Sequence, residues 1–228
     1  MTMLHLVLLE TSGNQEYLFS TNRLRENVGA SELVYQAGTR LVLEAVARLE
    51  SEKDREQEHP LWPNSLNPAK LREQILAQNP DDIGRKIWVV VATSGKAMVL
   101  VNDCETGKAL VSDITRHALE QMPGLDICGV VSEGFNWTTK PFNEVVKEVH
   151  EKFSRVRTLR PTPAARFPQL PVLEPCASSG WPASTLDRDR TGGEWRPVSR
   201  VSVVKRERYG AWRDRLREIL EKHSADTW

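Results

Sequence analysis

The chain has 228 residues, 39% hydrophobic and 27% charged, with a formal net charge of zero. That length suits one large domain or a domain with an appendage, and that composition suits a globular chain able to bury a substantial core. No apolar run reaches the roughly 18 residues of a membrane-spanning helix, and three scattered cysteines, Cys104, Cys128 and Cys176, form no CxxC pair and fit a reducing cytoplasm.

The N-terminal stretch MTMLHLVLLE lacks a basic region and meets an acid too soon for a secretory signal. Three distant cysteines and five scattered histidines leave no spacing for a four-ligand zinc site. Charge is unevenly placed. Residues 152–222 carry 16 Lys and Arg against 8 Asp and Glu, so the remainder is equally acidic. A basic C-terminal third fits an anionic partner, RNA or an acidic subunit, or a solvated face whose arginines pair locally.

In chain order, Leu4 to Leu9 is an apolar run with the length of a buried strand, and Glu10 stands at its end. Thr11-Ser12-Gly13-Asn14 reads as a turn. A carboxylate at a strand tip beside a helix start suits nucleotide or metal chemistry, because helix N–H groups there face phosphate. From this stretch alone an ordinary strand–turn–helix with a solvated Glu is the favoured reading. Gln15 to Glu26 is expected to be a helix, with Tyr17, Leu18, Leu24 and Val28 inward and Asn22, Arg23 and Arg25 opposite. Gly29-Ala30-Ser31 marks a bend, with Ser31 as an N-cap of a second helix reaching about Lys53. His59–Pro63 is a surface loop, and Pro68 to Gln78 a short helix stopped by Asn79-Pro80.

Ile87 to Ala92 and Ala97 to Val101 flank Ser94-Gly95-Lys96 and predict a central β-hairpin. Thr106 to Met122 is a helix with Leu110, Ile114, Ala118 and Leu119 inward. Leu125 to Val131 is a strand. Pro141 to Arg157 is an amphipathic helix with a stripe of Phe142, Val145, Val146, Val149, Phe153 and Val156. Six prolines between Pro161 and Pro182 announce a Pro-rich excursion or linker. Pro197 to Val204 reads as a short strand, and Lys205 to Lys222 as a helix with Trp212, Leu216, Ile219 and Leu220 on one side. The domains expected are therefore 1–160 and 161–228.

The segment Gln15-Glu16-Tyr17-Leu18-Phe19-Ser20-Thr21-Asn22-Arg23-Leu24-Arg25-Glu26, with Gly29-Ala30-Ser31-Glu32-Leu33 after it, resembles the palm domains of CRISPR polymerases. These are the large subunits of type III CRISPR effector complexes, and their pattern here is close to QxFLFxTxRLRExxGxSxLL. The stretch from Leu173 to Ala183 is similar to their cysteine-bearing insert, with Ser179 where some members carry a second cysteine, so no zinc site carries over. The resemblance implies an α+β, ferredoxin-like palm, an antiparallel sheet with helices on one face. In the catalytic palm of the family the hairpin turn carries paired acids that hold two metal ions. Here that turn is Ser94-Gly95-Lys96, so the resemblance is to the first palm, which lacks the acids and helps bind nucleotide across from a second palm.

The resemblance implies ATP, assisted by Mg²⁺, at Glu10, Thr11, Ser12, Gly13, Asn22, Arg25, Ser31, Ser94, Gly95 and Lys96. Gly13 and Gly95 would let backbone N–H groups approach the phosphates, Lys96 would supply positive charge, and Asn22 and Arg25 would reach base or ribose. No catalytic or metal-ligating residue is assigned. The implied partners are a second palm or companion chain, CRISPR effector subunits and RNA, with no membrane, in the cytoplasm; the implied role is a share in cyclic oligoadenylate synthesis or, as the other reading, a non-enzymatic part of a CRISPR ribonucleoprotein. Other motifs are missing: the GxxxxGK[ST] spacing and a GxSxG turn are absent, His59, His117 and His150 have no adjacent Asp, and Asp81-Asp82 reads as a solvated turn.

Overall fold

The structure is a computed structural model and describes residues 3–50, 87–136, 138–167, 170–188 and 193–225. The expected His59–Pro63 loop, the Pro68–Gln78 helix and the Asp81-Asp82 turn lie outside the described residues. Two compact units emerge, Met1–Ser12 with Tyr35–Glu120 and Ile127–Arg160, and Gly13–Val34 with Gln121–Asp126 and Pro161–Trp228.

The first unit is built on an antiparallel four-stranded sheet in the order β2-β3-β1-β4, with β1 His5–Ser12, β2 Ile87–Thr93, β3 Lys96–Val101 and β4 Asp126–Val131. Leu6, Val7, Leu8 and Leu9 on β1 are at most 1% exposed. Successive strand side chains point to opposite faces, so a run without alternation is buried only if both faces are covered. Both are. Leu6 and Leu8 share a core cluster with Val145, Val149 and Phe153 of helix α5, Phe142–Leu159. On the other face, a Cβ on Gly107 of helix α4, Cys104–Gln121, would meet Val7 and Val131, and one on Gly129 of β4 would meet Leu9 and Val111. Helix α3, Arg40–Glu50, is tied to α4 by Arg48 and Asp113, 2.6 Å apart. The expectation of helices on one face is corrected: α4 and α5 lie on opposite faces, as the unbroken apolar run of β1 requires.

The expected hairpin forms, joined by Ser94 and Gly95, with Gly95 at φ 69°, a value that favours glycine. It is not central, however. β2 is an edge strand, and its pairing with β3 shifts register between Val89 and Val91, a bulge of the kind that disrupts edges.

The remaining helices differ from the sequence expectation at their ends. The first breaks into α1, Asn14–Phe19, and α2, Leu24–Gly38, because hydroxyls take over the backbone between them. Ser20 Oγ donates to the Tyr17 carbonyl and the Arg23 N–H donates to Thr21 Oγ1. Leu24, expected inside, is 75% exposed. Leu119 of α4 is exposed too. Gly29-Ala30-Ser31 is not a bend, and Ser31 is an exposed mid-helix residue rather than a cap.

Gly29 serves close approach instead. In the second unit a Cβ there would lie 1.7 Å from the Lys205 carbonyl oxygen of helix α6, Arg200–Ala225, so the two helix backbones touch. That helix begins earlier than expected, and the β-branched run from Val201 to Val204 is helical. Its N-cap explains this: the Ser202 N–H donates to Ser199 Oγ at 3.2 Å and the Val203 N–H to the Ser199 carbonyl at 3.0 Å. Strands β5, Thr185–Arg188, and β6, Trp195–Val198, form a two-stranded sheet before it. The Pro-rich stretch is ordered where described, with a 3-10 turn at Pro163–Arg166 and the Phe167 and Trp181 rings 4.5 Å apart.

Candidate functional site

The sheet of the first unit brings five of the ten sequence-predicted residues together: Glu10, Thr11, Ser94, Gly95 and Lys96. Glu10 does not stand past the strand's end. β1 runs on to Ser12, and Glu10 sits directly across from Lys96 of β3. Both side chains emerge on the α5 face, where Lys96 Nζ is 2.7 Å from Glu10 Oε1 and 3.2 Å from His150 Nε2. His150 Nδ1 lies 3.9 Å from the same Glu10 oxygen. With neutral imidazole the set carries no net charge. Lys96 is about one-third exposed, so the pair contributes only about 0–1 kcal/mol to stability. Its larger effect is on chemistry, because any phosphate must compete with Glu10 for the ammonium.

The turn itself is closed from behind. The Thr11 N–H donates to the Gly95 carbonyl at 2.8 Å, and Thr11 Oγ1 to the same oxygen at 3.2 Å. A Cβ on Gly38, at the end of α2, would lie 1.9 Å from the Thr93 oxygen and 2.8 Å from the Gly95 nitrogen. Helix backbone thus rests on the hairpin turn, where the sequence expectation places an anion. Ser94 stays exposed, and Ser12 Oγ is buried without a hydrogen bond.

Ser12 ends β1 in the first unit, and the other four predicted residues, Gly13, Asn22, Arg25 and Ser31, belong to the second. Gly13, at φ 64°, precedes α1, and its carbonyl accepts the Tyr17 N–H. Asn22, Arg25 and Ser31 are exposed.

The second unit also holds a charged cluster that the sequence did not reveal. Glu26 is fully buried, and its carboxylate accepts from Arg206 Nε at 2.8 Å and from Ser202 Oγ at 3.2 Å. Arg206 also pairs with Asp187. Burial would draw the Arg206 guanidinium down, but hydrogen bonds and charge from Glu26 and Asp187 raise it. Beside it, Lys205 is 1% exposed. Its ammonium donates to the Tyr17 carbonyl at 2.5 Å and to Ser20 Oγ at 3.0 Å, and stands 4.1 Å from the Tyr17 ring centre. Burial draws the Lys205 amine down to about 8 against the opposing charge of Glu26, and burial pushes the Tyr17 phenol up. A cleft of about 110 Å³ opens here between Arg23, Asp187, Arg196 and Arg206. Arg206 is already neutralised by two carboxylates, so the cleft is mixed in charge rather than an anion trap.

Comparison with protein-family models and with curated proteins finds no match. Among the described residues, no group of three or more His, Cys, Asp or Glu side chains is placed to hold a metal ion, and no helix is long and apolar enough to cross a membrane.

Proposed function

We propose that the chain is a palm module of the CRISPR-polymerase kind, catalytically incomplete alone, which works with a second palm in type III CRISPR defence. One observation carries the reading: the hairpin position where such palms hold metal-binding acids carries Lys96, ion-paired to Glu10 across the strands. A single carboxylate engaged by an ammonium does not hold the two metal ions of nucleotidyl transfer. The strand order supports the palm assignment, since β2-β3-β1-β4, with α3 and α4 as crossovers, is the order of a ferredoxin-like βαββαβ plan. α5 is then an addition on the opposite face. Nucleotide handling in this reading is weak and Mg²⁺-assisted, with ATP phosphates drawn to Lys96 as Glu10 yields it.

Titration with Mg²⁺–ATP tests the assignment. Glu10→Gln frees the ammonium and is expected to tighten binding by about 3–10-fold, the equivalent of about 1 kcal/mol. Lys96→Ala is expected to weaken it. Equal affinity of wild type and both variants overturns the nucleotide site. Incubation with ATP and Mg²⁺ or Mn²⁺ is expected to give no cyclic or linear oligonucleotide, and metal-dependent product would overturn the non-catalytic assignment.

A second reading, a non-enzymatic component that contacts RNA or neighbouring subunits of a CRISPR ribonucleoprotein, is favoured by Gly38 lying against the turn that nucleotide would need. It is the reading that survives if ATP does not bind.

A further inference from the structure

In the second unit, two pairs of small polar residues with the same spacing face each other. Cys176 and Ser179 lie on one turn. Ser199 and Ser202 lie at the start of α6. Each pair is three residues apart, the separation at which structural zinc sites draw two ligands from one turn.

The first turn is closed by the Gly180 N–H donating to the Cys176 carbonyl at 3.1 Å and the Cys176 N–H donating to the Trp181 carbonyl at 2.7 Å. Gly180 takes φ 71°, which glycine alone adopts readily. The β5–β6 hairpin then leads into α6, whose capped first turn presents Ser199 and Ser202. The order is turn, hairpin, helix N-terminus.

Two distances between the pairs are of the size that neighbouring ligands of one metal ion show. Ser179 Oγ lies 3.2 Å from Ser199 Oγ, and Cys176 Sγ lies 3.6 Å from Ser202 Oγ. At about 2.0 Å (oxygen) and about 2.3 Å (sulfur) from a tetrahedral zinc, two oxygens stand about 3.3 Å apart and a sulfur and an oxygen about 3.5 Å apart. Ser178 adds a hydroxyl 3.3 Å from Cys176 Sγ and 3.1 Å from Ser202 Oγ. Cys176, Ser199 and Ser202 are buried.

We propose that Cys176, Ser179, Ser199 and Ser202 form a frame with the pairing and spacing of a zinc site in which hydrogen bonds between hydroxyls and one sulfur do the joining that a metal would otherwise do. Structural zinc is bound by thiolate, imidazole or carboxylate, so one cysteine and three neutral hydroxyls make a poor donor set. Glu26 could contribute a carboxylate, since Ser202 Oγ donates to it, but Arg206 already engages it. The same surroundings suit the sulfur. Burial would push the Cys176 thiol up, yet hydrogen bonds from the Ser178 and Ser179 side chains and the Ser178 and Ser199 backbone bring it down to about 5. The frame fastens the Pro-rich stretch to the start of α6, and its natural form needs no metal.

The frame predicts that thiols at the three hydroxyl positions convert it to a zinc site. The triple variant Ser179→Cys, Ser199→Cys, Ser202→Cys is expected to retain one zinc per chain and to show the tetrahedral thiolate absorption of cobalt(II). A chelator is expected to lower its Tm and to leave that of wild type unchanged. A folded triple variant without metal overturns the proposal, as does stoichiometric zinc in the wild type or a chelator-sensitive wild-type Tm. A triple variant that fails to fold even with zinc counts against it as well. The double variant Ser179→Cys, Ser199→Cys checks the juxtaposition without metal. Mild oxidation is expected to close an intramolecular disulfide in the folded protein, and two persistently free thiols at these positions overturn the geometry.

Discussion

At the scale of single residues the decisive side chains are those whose partners lie far along the sequence. Lys205 is the clearest. Its native amine is drawn down to about 8 from an ordinary 10.5 by burial. Between those two values the unfolded chain holds a proton that the native one lacks, so the amine's contribution to stability rises with pH through that window and is flat below it. Tyr17 acts oppositely, since burial pushes its phenol up and the native state resists ionisation once the pH passes about 10. Urea midpoints at pH 7, 8, 9 and 10 are expected to climb throughout in wild type, because the Cys176 thiol drawn down to about 5 adds a rise up to about pH 9, and to lose the part of the climb between pH 9 and 10 in Lys205→Met. A wild-type profile flat between pH 9 and 10 would show that the amine is not held charged against burial. Nothing in the sequence marks Lys205 or Glu26 as buried. Helical patterning assigns charge to the outside, and Glu26 is matched by Arg206 at a separation of 180 residues. Glu10 and Lys96 can each be singled out in the sequence, but their mutual pairing depends on strand register, which two separate apolar runs do not specify.

At the scale of elements, the sequence is legible where burial writes a long apolar pattern and misleading where a polar residue or a glycine decides the outcome. β1, the hairpin, α4, β4 and α5 lie close to their expected places. Gly29 reads as a break because glycine weakens a helix, yet in the fold it is the residue that lets α2 and α6 touch. Val201 to Val204 read as a strand from β-branching, and Ser199 overrides that preference by capping α6. Ser199→Ala is expected to destabilise the second unit by about 1 kcal/mol, measured by chemical denaturation, with Ser199→Asp retaining most of the stability. Equal stability of Ser199→Ala and wild type would show that the cap is not what starts the helix. The sheet edge at β4 shows the same economy of polar groups. Arg160 Nη1 donates to the Ile127 carbonyl and Lys152 Nζ to the Val131 carbonyl, each at 2.8 Å. Rises of about 1.5 Å per helical residue and about 3.3 Å per strand residue let groups eight apart along α5 meet groups four apart on β4. Two cations thus cover carbonyls that a further strand would otherwise pair with.

At the scale of the molecule, the question is what the basic excess of residues 152–222 is for. Part of it is internal. Arg166 pairs with Asp126, Arg206 with Glu26 and Asp187, Arg213 with Asp214, and Arg215 with Glu32, while Lys205 is buried. Arg196, Arg200, Arg208 and Arg217 remain in the second unit without such partners among the described residues. Formal charge therefore overstates the positive surface offered to a polyanion. On the second reading proposed above, binding of single-stranded RNA would be governed by the phosphates actually neutralised, with log K falling against log salt by about 0.7 per contact. If these four arginines make the contacts, the slope is expected to be no steeper than about −3. Arg196→Ala with Arg200→Ala should bring it to about half that value and weaken all RNA sequences alike, because phosphate contacts carry no sequence information. A slope several units steeper would show that the paired arginines open to bind RNA. An unchanged slope in the double variant would place the contacts elsewhere on the chain.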